Sequence, residues 1–337
     1  MDILVTGGLG FIGSHTAVCL QQAGFRPILV DNLSNSNLSV LEGIEKITGV
    51  TPVFLKGDVN DASFLDSVFT EFPIRAVIHF AAFKAVGESV EKPLAYYQNN
   101  VGGLITLLQC MEKHAVHKLV FSSSCTVYGE PDVVPVTESE RLKPATSPYG
   151  ATKQMCETIL ADVKWCKSQC LRYFNPVGAH PSAEIGELPS GIPNNLVPFI
   201  TQAAAGLRPE LTVFGNDYPT PDGTNIRDYI HIMDLAEAHL ASLNRLISQE
   251  DVDAIEYYNL GTGKGCSVLQ VIESFEKVNH TKVPYRIGPR RTGDVVQVWA
   301  DSNKAKQYLG WEATRGLDEM MKDAWHWQQR LQQASNS

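Results

Sequence analysis

The first thirteen residues constrain the chain most. A short apolar run, Asp2-Ile3-Leu4-Val5-Thr6, gives way to Gly7-Gly8-Leu9-Gly10-Phe11-Ile12-Gly13. Glycines 7, 10 and 13 make a G-x-x-G-x-x-G spacing between a strand pattern and a helical pattern over 11–23. Such a turn lets the backbone approach an anion with no Cβ in the way, and the following helix points its free N–H groups at that anion. The spacing therefore predicts a strand–turn–helix that cradles a pyrophosphate. A second strand pattern ends in Asp31, about the ~20 residues onward at which an acid meets the ribose hydroxyls of a dinucleotide. Asp31 also repels a 2′-phosphate, so the pattern favours NAD over NADP.

The alternation continues. Strand patterns at 2–7, 27–31, 51–57, 76–82, 118–124 and 169–174 are separated by helical patterns at 11–23, 39–48, 61–71, 93–115 and 148–167. Near-continuously apolar strands belong to a parallel sheet covered on both faces. The reading is α/β: a doubly wound (Rossmann) NAD-binding domain over 1–176, with ligands at the carboxyl ends of its strands. Then the texture changes. Residues 176–195, rich in Pro, Gly, Ser and Asn, read as a long functional loop. Strands at 211–215, 256–260 and 283–287 and helices at 196–206, 233–247, 267–278 and 317–333 predict a smaller α/β substrate domain over 177–337. Its helix near 233–247 is apolar enough to pack back on the first domain.

A net charge of −9 argues against a nucleic-acid or anionic-membrane surface. No apolar run approaches the ~20 residues of a membrane span, and the opening strand leaves no room for a leader. The seven cysteines are scattered without Cys-x-x-Cys or zinc spacing. They predict reduced thiols in a cytoplasmic protein and no metal.

The chemistry is written in the fifth strand and the helix after it. The strand ends in Ser122-Ser123-Ser124. No Gly-x-Ser-x-Gly elbow surrounds these serines, so they read as hydrogen-bond partners for a reacting hydroxyl and not as nucleophiles. Tyr149 follows Pro148, a residue suited to a first helical turn, and precedes Lys153 by four, which puts both on one face. A free tyrosine, with a pKa of ~10, needs roughly 4 kcal/mol to become a base near neutrality. An ammonium at ~4–5 Å supplies roughly 3–4 kcal/mol at an effective dielectric near 20, and an oxidised nicotinamide adds further positive charge. Elsewhere, Asp58 follows strand three, where an adenine amino group is read. Phe80 and Ala81 end strand four, and His79 reads as a core histidine.

Taken together, the glycine turn, Asp31, Ser124, Tyr149 and Lys153 resemble the extended short-chain dehydrogenase/reductase family. The match is closer to the UDP-glucose 4-epimerase family, through "VTGGLGFIGSH" (5–15), "DNLSNS" (31–36), "FSSSCTVYGEP" (121–131), "SPYGATK" (147–153), "LRYFNPVGAHPS" (171–182), "GIPNNLVPFI" (191–200) and "RRTGDV" (290–295). The resemblance implies interconversion of UDP-galactose and UDP-glucose by a homodimer, with tightly held NAD. It implies Tyr149 as base, Ser124 as proton relay and Lys153 as the group that lowers the tyrosine pKa. It places NAD contacts on Gly7, Gly10, Phe11, Ile12, Gly13, Asp31, Asn32, Asn35, Ser36, Asp58, Val59, Phe80, Ala81, Lys84, Asn99 and Phe174. Substrate contacts fall on Lys84, Ser124, Tyr149, Asn175, Asn195, Leu196, Phe214, Arg227, Arg291, Asp294 and Val298. The two arginines also suit a diphosphate on their own chemistry, as planar bidentate donors.

Rival activities read less well. A dehydratase on this fold needs an Asp-Glu pair where this chain has Cys125-Thr126. A simple dehydrogenase would release NADH. An idle NAD-sensing scaffold has no use for an intact Ser-Tyr-Lys set. Family members restricted to unacetylated sugars tend to carry tyrosine at the position of Val298, so the valine predicts room for UDP-N-acetylhexosamines.

Overall fold

The computed structural model describes residues 1–188, 191, 193, 195–249, 252–291 and 294–336. Ile192, Asn194, Thr292 and Gly293, which fall within two of the stretches quoted above, lie outside the described residues.

Thirteen strands are described: β1 (Asp2–Thr6), β2 (Arg26–Asp31), β3 (Val53–Lys56), β4 (Ile74–His79), β5 (Lys118–Ser122), β6 (Lys167–Tyr173), β7 (Asn175–Val177), β8 (Leu211–Phe214), β9 (Ile226–His231), β10 (Ile255–Leu260), β11 (Gly265–Ser267), β12 (Tyr285–Gly288) and β13 (Gln297–Val298). Seven form one sheet in the order β3-β2-β1-β4-β5-β6-β10, and every pairing in it is parallel. Strand order reverses between β1 and β4, and the carboxyl ends beside that switch point form the crevice where such sheets bind ligands.

Two apolar layers explain why the strands are apolar on both faces. On one side Ile3, Val5, Leu29 and Ile78 pack against Ala17, Val18 and Leu20 of helix Phe11–Gln22 and Leu235, Ala238 and Leu243 of helix Ile232–Ser248. On the other, Leu4, Ile28, Val77 and Leu119 pack against Leu65, Leu107, Met111, Cys156 and Leu160 of helices Ala62–Glu71, Gly103–Lys113 and Pro148–Asp162.

Two features differ from the sequence reading. Strand β10, assigned above to the smaller domain, pairs with β6 and finishes the large sheet. Its residues Tyr258 and Leu260 join the same core cluster as the helix beside them, so burial decides the assignment rather than chain order. The boundary at 176 is therefore crossed twice, by β10 and by helix Ile232–Ser248. Second, the helix expected over 93–115 is broken. A short helix, Pro93–Tyr96, runs through a π-helical turn, Tyr97–Gly102, into Gly103–Lys113. π-helical turns often mark functional positions, and this one carries Asn99 and Asn100.

The rest of the second half forms small sheets over the crevice. Strand β9, unrecognised in the sequence, pairs with β7, β11 and β13, and β8 pairs with β12. A third apolar cluster, with Val177, Val213, Val271, Phe275 and Met321, holds this part together.

Candidate active site

Helix Pro148–Asp162 begins where the Ser147 hydroxyl accepts from the Gly150 N–H at 3.2 Å, with proline in the first turn. That cap fixes the helix so that Tyr149 and Lys153 face the end of β5, and both are buried. The three serines there go three ways. Ser122 Oγ hydrogen-bonds Tyr173 OH, Ser123 Oγ donates to Glu157 Oε1 at 2.6 Å, and Ser124 Oγ accepts from Thr126 N at 3.2 Å on the side of the run where it favours the Tyr149 phenolate. Only the last of the run meets the tyrosine.

Lys153 Nζ donates to the Ser122 carbonyl at 2.7 Å and stands 5.9 Å from the centroid of the Tyr149 ring. Burial dominates both groups. It lifts Tyr149 well above the usual phenol range against the Ser124 hydrogen bond, and it presses Lys153 down to about 8. The sequence reading, which let the lysine alone come close to making a phenolate, is corrected here. Desolvation favours the neutral form of each partner, so a second positive charge is required. His79 plays no part in this chemistry. It is buried, its Nδ1 lies 2.7 Å from Thr6 Oγ1, and burial holds it neutral with a pKa of about 3.

The glycine turn lies across β1 and β4. Gly7 has φ +67°, and a Cβ there would meet the Ala81 nitrogen at 2.8 Å. A Cβ on Gly13 would sit 2.3 Å from the Gly7 carbonyl oxygen. Gly10 caps the helix with no side chain, and the first-turn amides of Phe11, Ile12 and Gly13 have no intrahelical acceptor. Asp31 holds the rim: it accepts from Leu9 N at 3.1 Å, Leu33 N at 2.9 Å and Ser36 Oγ at 2.7 Å. Asn35 lies exposed beside it. Asn32 Nδ2 donates to Asp58 at 2.9 Å, and Val59 is buried next to it. The Phe80 ring rests 4.7 Å from His239, and Asn99 donates to Asn100 at 2.9 Å. Glycines a side chain would obstruct, unpaired helix amides and an acid at the second strand end all fit a dinucleotide.

The other predicted residues gather in two groups at the mouth. Glu187 Oε1 accepts from Lys84 Nζ at 3.1 Å and from Asn195 Nδ2 at 2.7 Å, just before Leu196 opens a helix. Asp294 takes a bidentate bond from Arg291 (3.2 and 2.7 Å) and lies 3.8 Å from Arg227, while the Arg291 guanidinium sits 5.8 Å from the Phe214 ring centre. Val298 pairs with Arg227 across β13 and β9, and packs in a buried cluster with Val127, Tyr128, Val136 and Phe174. Asn175 opens β7, opposite Tyr229 of β9.

Sequence reasoning missed the struts. Buried Asn100 bonds both backbone groups of Phe83 (2.8 and 3.0 Å) and Thr152 Oγ1 (3.0 Å), which ties the strand-four loop to the catalytic helix. Glu157 pairs bidentately with Arg172 of β6 (2.9 and 2.6 Å), and Arg172 reaches Tyr128 OH at 3.0 Å. Glu157 stands four residues after Lys153, a spacing that could have been read. Glu187 gave no local signal, since its partners lie 103 and 8 residues away. Among the described residues no group of His, Cys, Asp and Glu could hold a metal, and no helix is long and apolar enough to cross a membrane.

A doubly wound sheet with Ser, Tyr and Lys converging beside a glycine turn defines the extended short-chain dehydrogenase/reductase class. A family model described as GDP-mannose 4,6 dehydratase matches residues 4–324. The UDP-glucose 4-epimerase of Bacillus subtilis (strain 168) is 54% identical over 332 residues, covering 97% of each chain. That of Yersinia pestis is 52% identical and covers 98% of each. Among solved structures, the UDP-glucose-4-epimerase from Stenotrophomonas maltophila with bound NAD and formylated UDP-arabinopyranose superposes with a TM-score of 0.96, at 49% identity and 99% coverage of both chains. The enzyme from Bifidobacterium longum in complex with NAD+ and UDP gives 0.93, at 47% identity and 98% coverage of both. The chain belongs to the UDP-glucose 4-epimerase family.

Proposed function

We propose that the protein interconverts UDP-galactose and UDP-glucose by inverting C4 through a 4-keto intermediate. The observation that carries this is Ser124 against Tyr149, with Lys153 on the same helix face, at the carboxyl end of β5. Tyr149 accepts the proton of the sugar 4-hydroxyl and returns it after the 4-keto sugar has turned over. Ser124 bonds the 4-oxygen and relays the proton. Lys153 favours the phenolate and orients the cofactor ribose.

NAD fits the turn, held by the Phe11–Gly13 amides, Asp31, Asn32, Ser36, Asp58, Phe80, Ala81, Asn99 and Phe174. When bound it supplies a reversible hydride acceptor and a positive charge beside Tyr149. Arg227 and Arg291 take the diphosphate, with Asp294 spacing them. Phe214, Asn195 and Leu196 take the nucleoside, and Lys84 and Asn175 the sugar side. Incubation with UDP-galactose and no added cofactor tests the reading: UDP-glucose must appear without net change in absorbance at 340 nm. A dehydratase would need acids at Cys125 and Thr126.

Three finer readings follow. Val298 limits the sugar pocket with a small side chain, which supports turnover of UDP-N-acetylhexosamines; a UDP-Glc/GlcNAc 4-epimerase from Campylobacter jejuni shares the fold at 34% identity, with a TM-score of 0.83. A second copy of the chain is the fitting partner for Val90, Leu94, Ile105 and Met155, which stand 63%, 81%, 41% and 46% exposed on neighbouring helices. Light scattering should give twice the chain mass, and Leu94→Glu half of that. All seven cysteines are free thiols, which supports a reducing cytoplasmic setting.

A further inference from the structure

The loop between β8 and β9 carries a tyrosine that the mechanism above does not use. Tyr218 is 5% exposed, and its hydroxyl is buried with no hydrogen-bond partner. An unpaired buried hydroxyl is costly, and in a native protein it calls for a partner. The loop is built to hold it. Tyr218 N donates to Gly223 O at 2.9 Å, and Thr220 N donates to Tyr218 O at 2.8 Å. Gly215 has φ +86°, and a Cβ there would meet the Tyr218 ring at 2.7 Å and Arg290 at 2.8 Å. The Arg290 guanidinium lies 4.2 Å from the ring centre, fixed in turn by Asp217 at 2.7 Å.

Gly215 and Arg290, which hold the ring, stand next in sequence to Phe214 and Arg291, and Arg291 lies 5.8 Å from the Phe214 ring centre and bonds Asp294 at 2.7 Å. Asp294 and Arg227 are the pair that closes the arginine corner of the candidate site. A neutral O–H donor beside the Arg290 guanidinium, with no acceptor of its own, suits a phosphate oxygen. We infer that Tyr218 is a further ligand-binding residue, whose hydroxyl donates to the diphosphate of the nucleotide held by Arg227 and Arg291. This rests on the diphosphate reading of that corner. Binding turns an unpaired hydroxyl into a charge-assisted bond of the stronger kind.

The test is Tyr218→Phe, compared with the unmodified NAD-loaded protein by titration calorimetry against UDP and against uridine, with thermal melting of each protein without nucleotide. The expected result is a loss of about tenfold in UDP affinity, about 1.4 kcal/mol, with uridine affinity within about twofold and melting unchanged or raised, because an unpaired polar group has been removed. Equal UDP affinity in the two proteins overturns the inference. So does an equal loss for uridine, or a lowered melting temperature, either of which would give the hydroxyl a structural partner. If the unmodified protein fails to bind UDP, the diphosphate reading itself falls, and this inference with it.

Discussion

Replacing Lys153 by methionine separates catalysis from stability. The ammonium stands 5.9 Å from the Tyr149 ring centre. At an effective dielectric near 20, unit charges at about 6 Å attract by about 3 kcal/mol. Losing that attraction raises the tyrosine pKa by about two units and lowers the phenolate fraction about a hundredfold. Turnover of UDP-galactose at pH 7 should fall by about that factor. The pH profile carries the sign. Burial sets Lys153 at about 8, so the wild-type lysine is charged below that pH and neutral above it. The gap between wild type and Lys153→Met should therefore be widest below pH 8 and close as pH rises toward 10.

Stability should move the other way. Folding depresses this lysine from its ordinary 10.5 to about 8. The unfolded chain thus binds an extra proton between pH 8 and 10.5, so a penalty of about 3 kcal/mol is complete below pH 8, where both states are protonated, and is relieved between 8 and 10.5. The methionine variant lacks the penalty, but it leaves the Ser122 carbonyl without its donor, at about 1–3 kcal/mol. Urea denaturation at pH 7 should find it no less stable than wild type. A variant that keeps a third of wild-type turnover, or whose ratio to wild type is flat from pH 6.5 to 10, would refute the electrostatic account.

Glu157→Gln leaves the Arg172 guanidinium buried without its counter-charge and should cost about 3–5 kcal/mol in urea denaturation. His15, His79 and His239 are buried, and burial lowers them to about 3, 3 and 4. They contribute stability that is present above 6.5 and lost as pH falls toward 4, and His239→Gln should flatten the fall by about 1.4 kcal/mol per pH unit. Val298→Tyr should cut turnover of UDP-N-acetylglucosamine at least tenfold while UDP-galactose is still converted; equal loss on both sugars would remove the pocket-size argument.

The strand ends and the glycine turn were legible because each is a local pattern: an apolar run, a residue without Cβ, an acid at a fixed offset. Tyr149 and Lys153 were legible for the same reason, being one helical turn apart. What the sequence hid is long-range or a matter of solvent. The net direction of the Tyr149 shift depends on how deeply the helix is buried, which spacing does not report. Asn100 matters through Phe83 and Thr152, respectively 17 and 52 residues distant. Strand β10 looks like any Gly-bounded apolar run, and nothing local tells it which sheet to join.

That last strand has a consequence for how the protein is made. Beside β10, Gln169 of β6 donates to Glu256 at 2.7 Å, and Arg172 lies 4.3 Å from the Tyr257 ring centre. During synthesis, β6 emerges with no β10 beside it, and Gln169 waits for Glu256 until that strand has left the ribosome. A fragment cut at 176 would be an unfinished sheet with a sticky edge, not a portable cofactor module. The two halves of the chain therefore share one sheet, and parting residues 1–176 from the rest would have to tear a β-ladder.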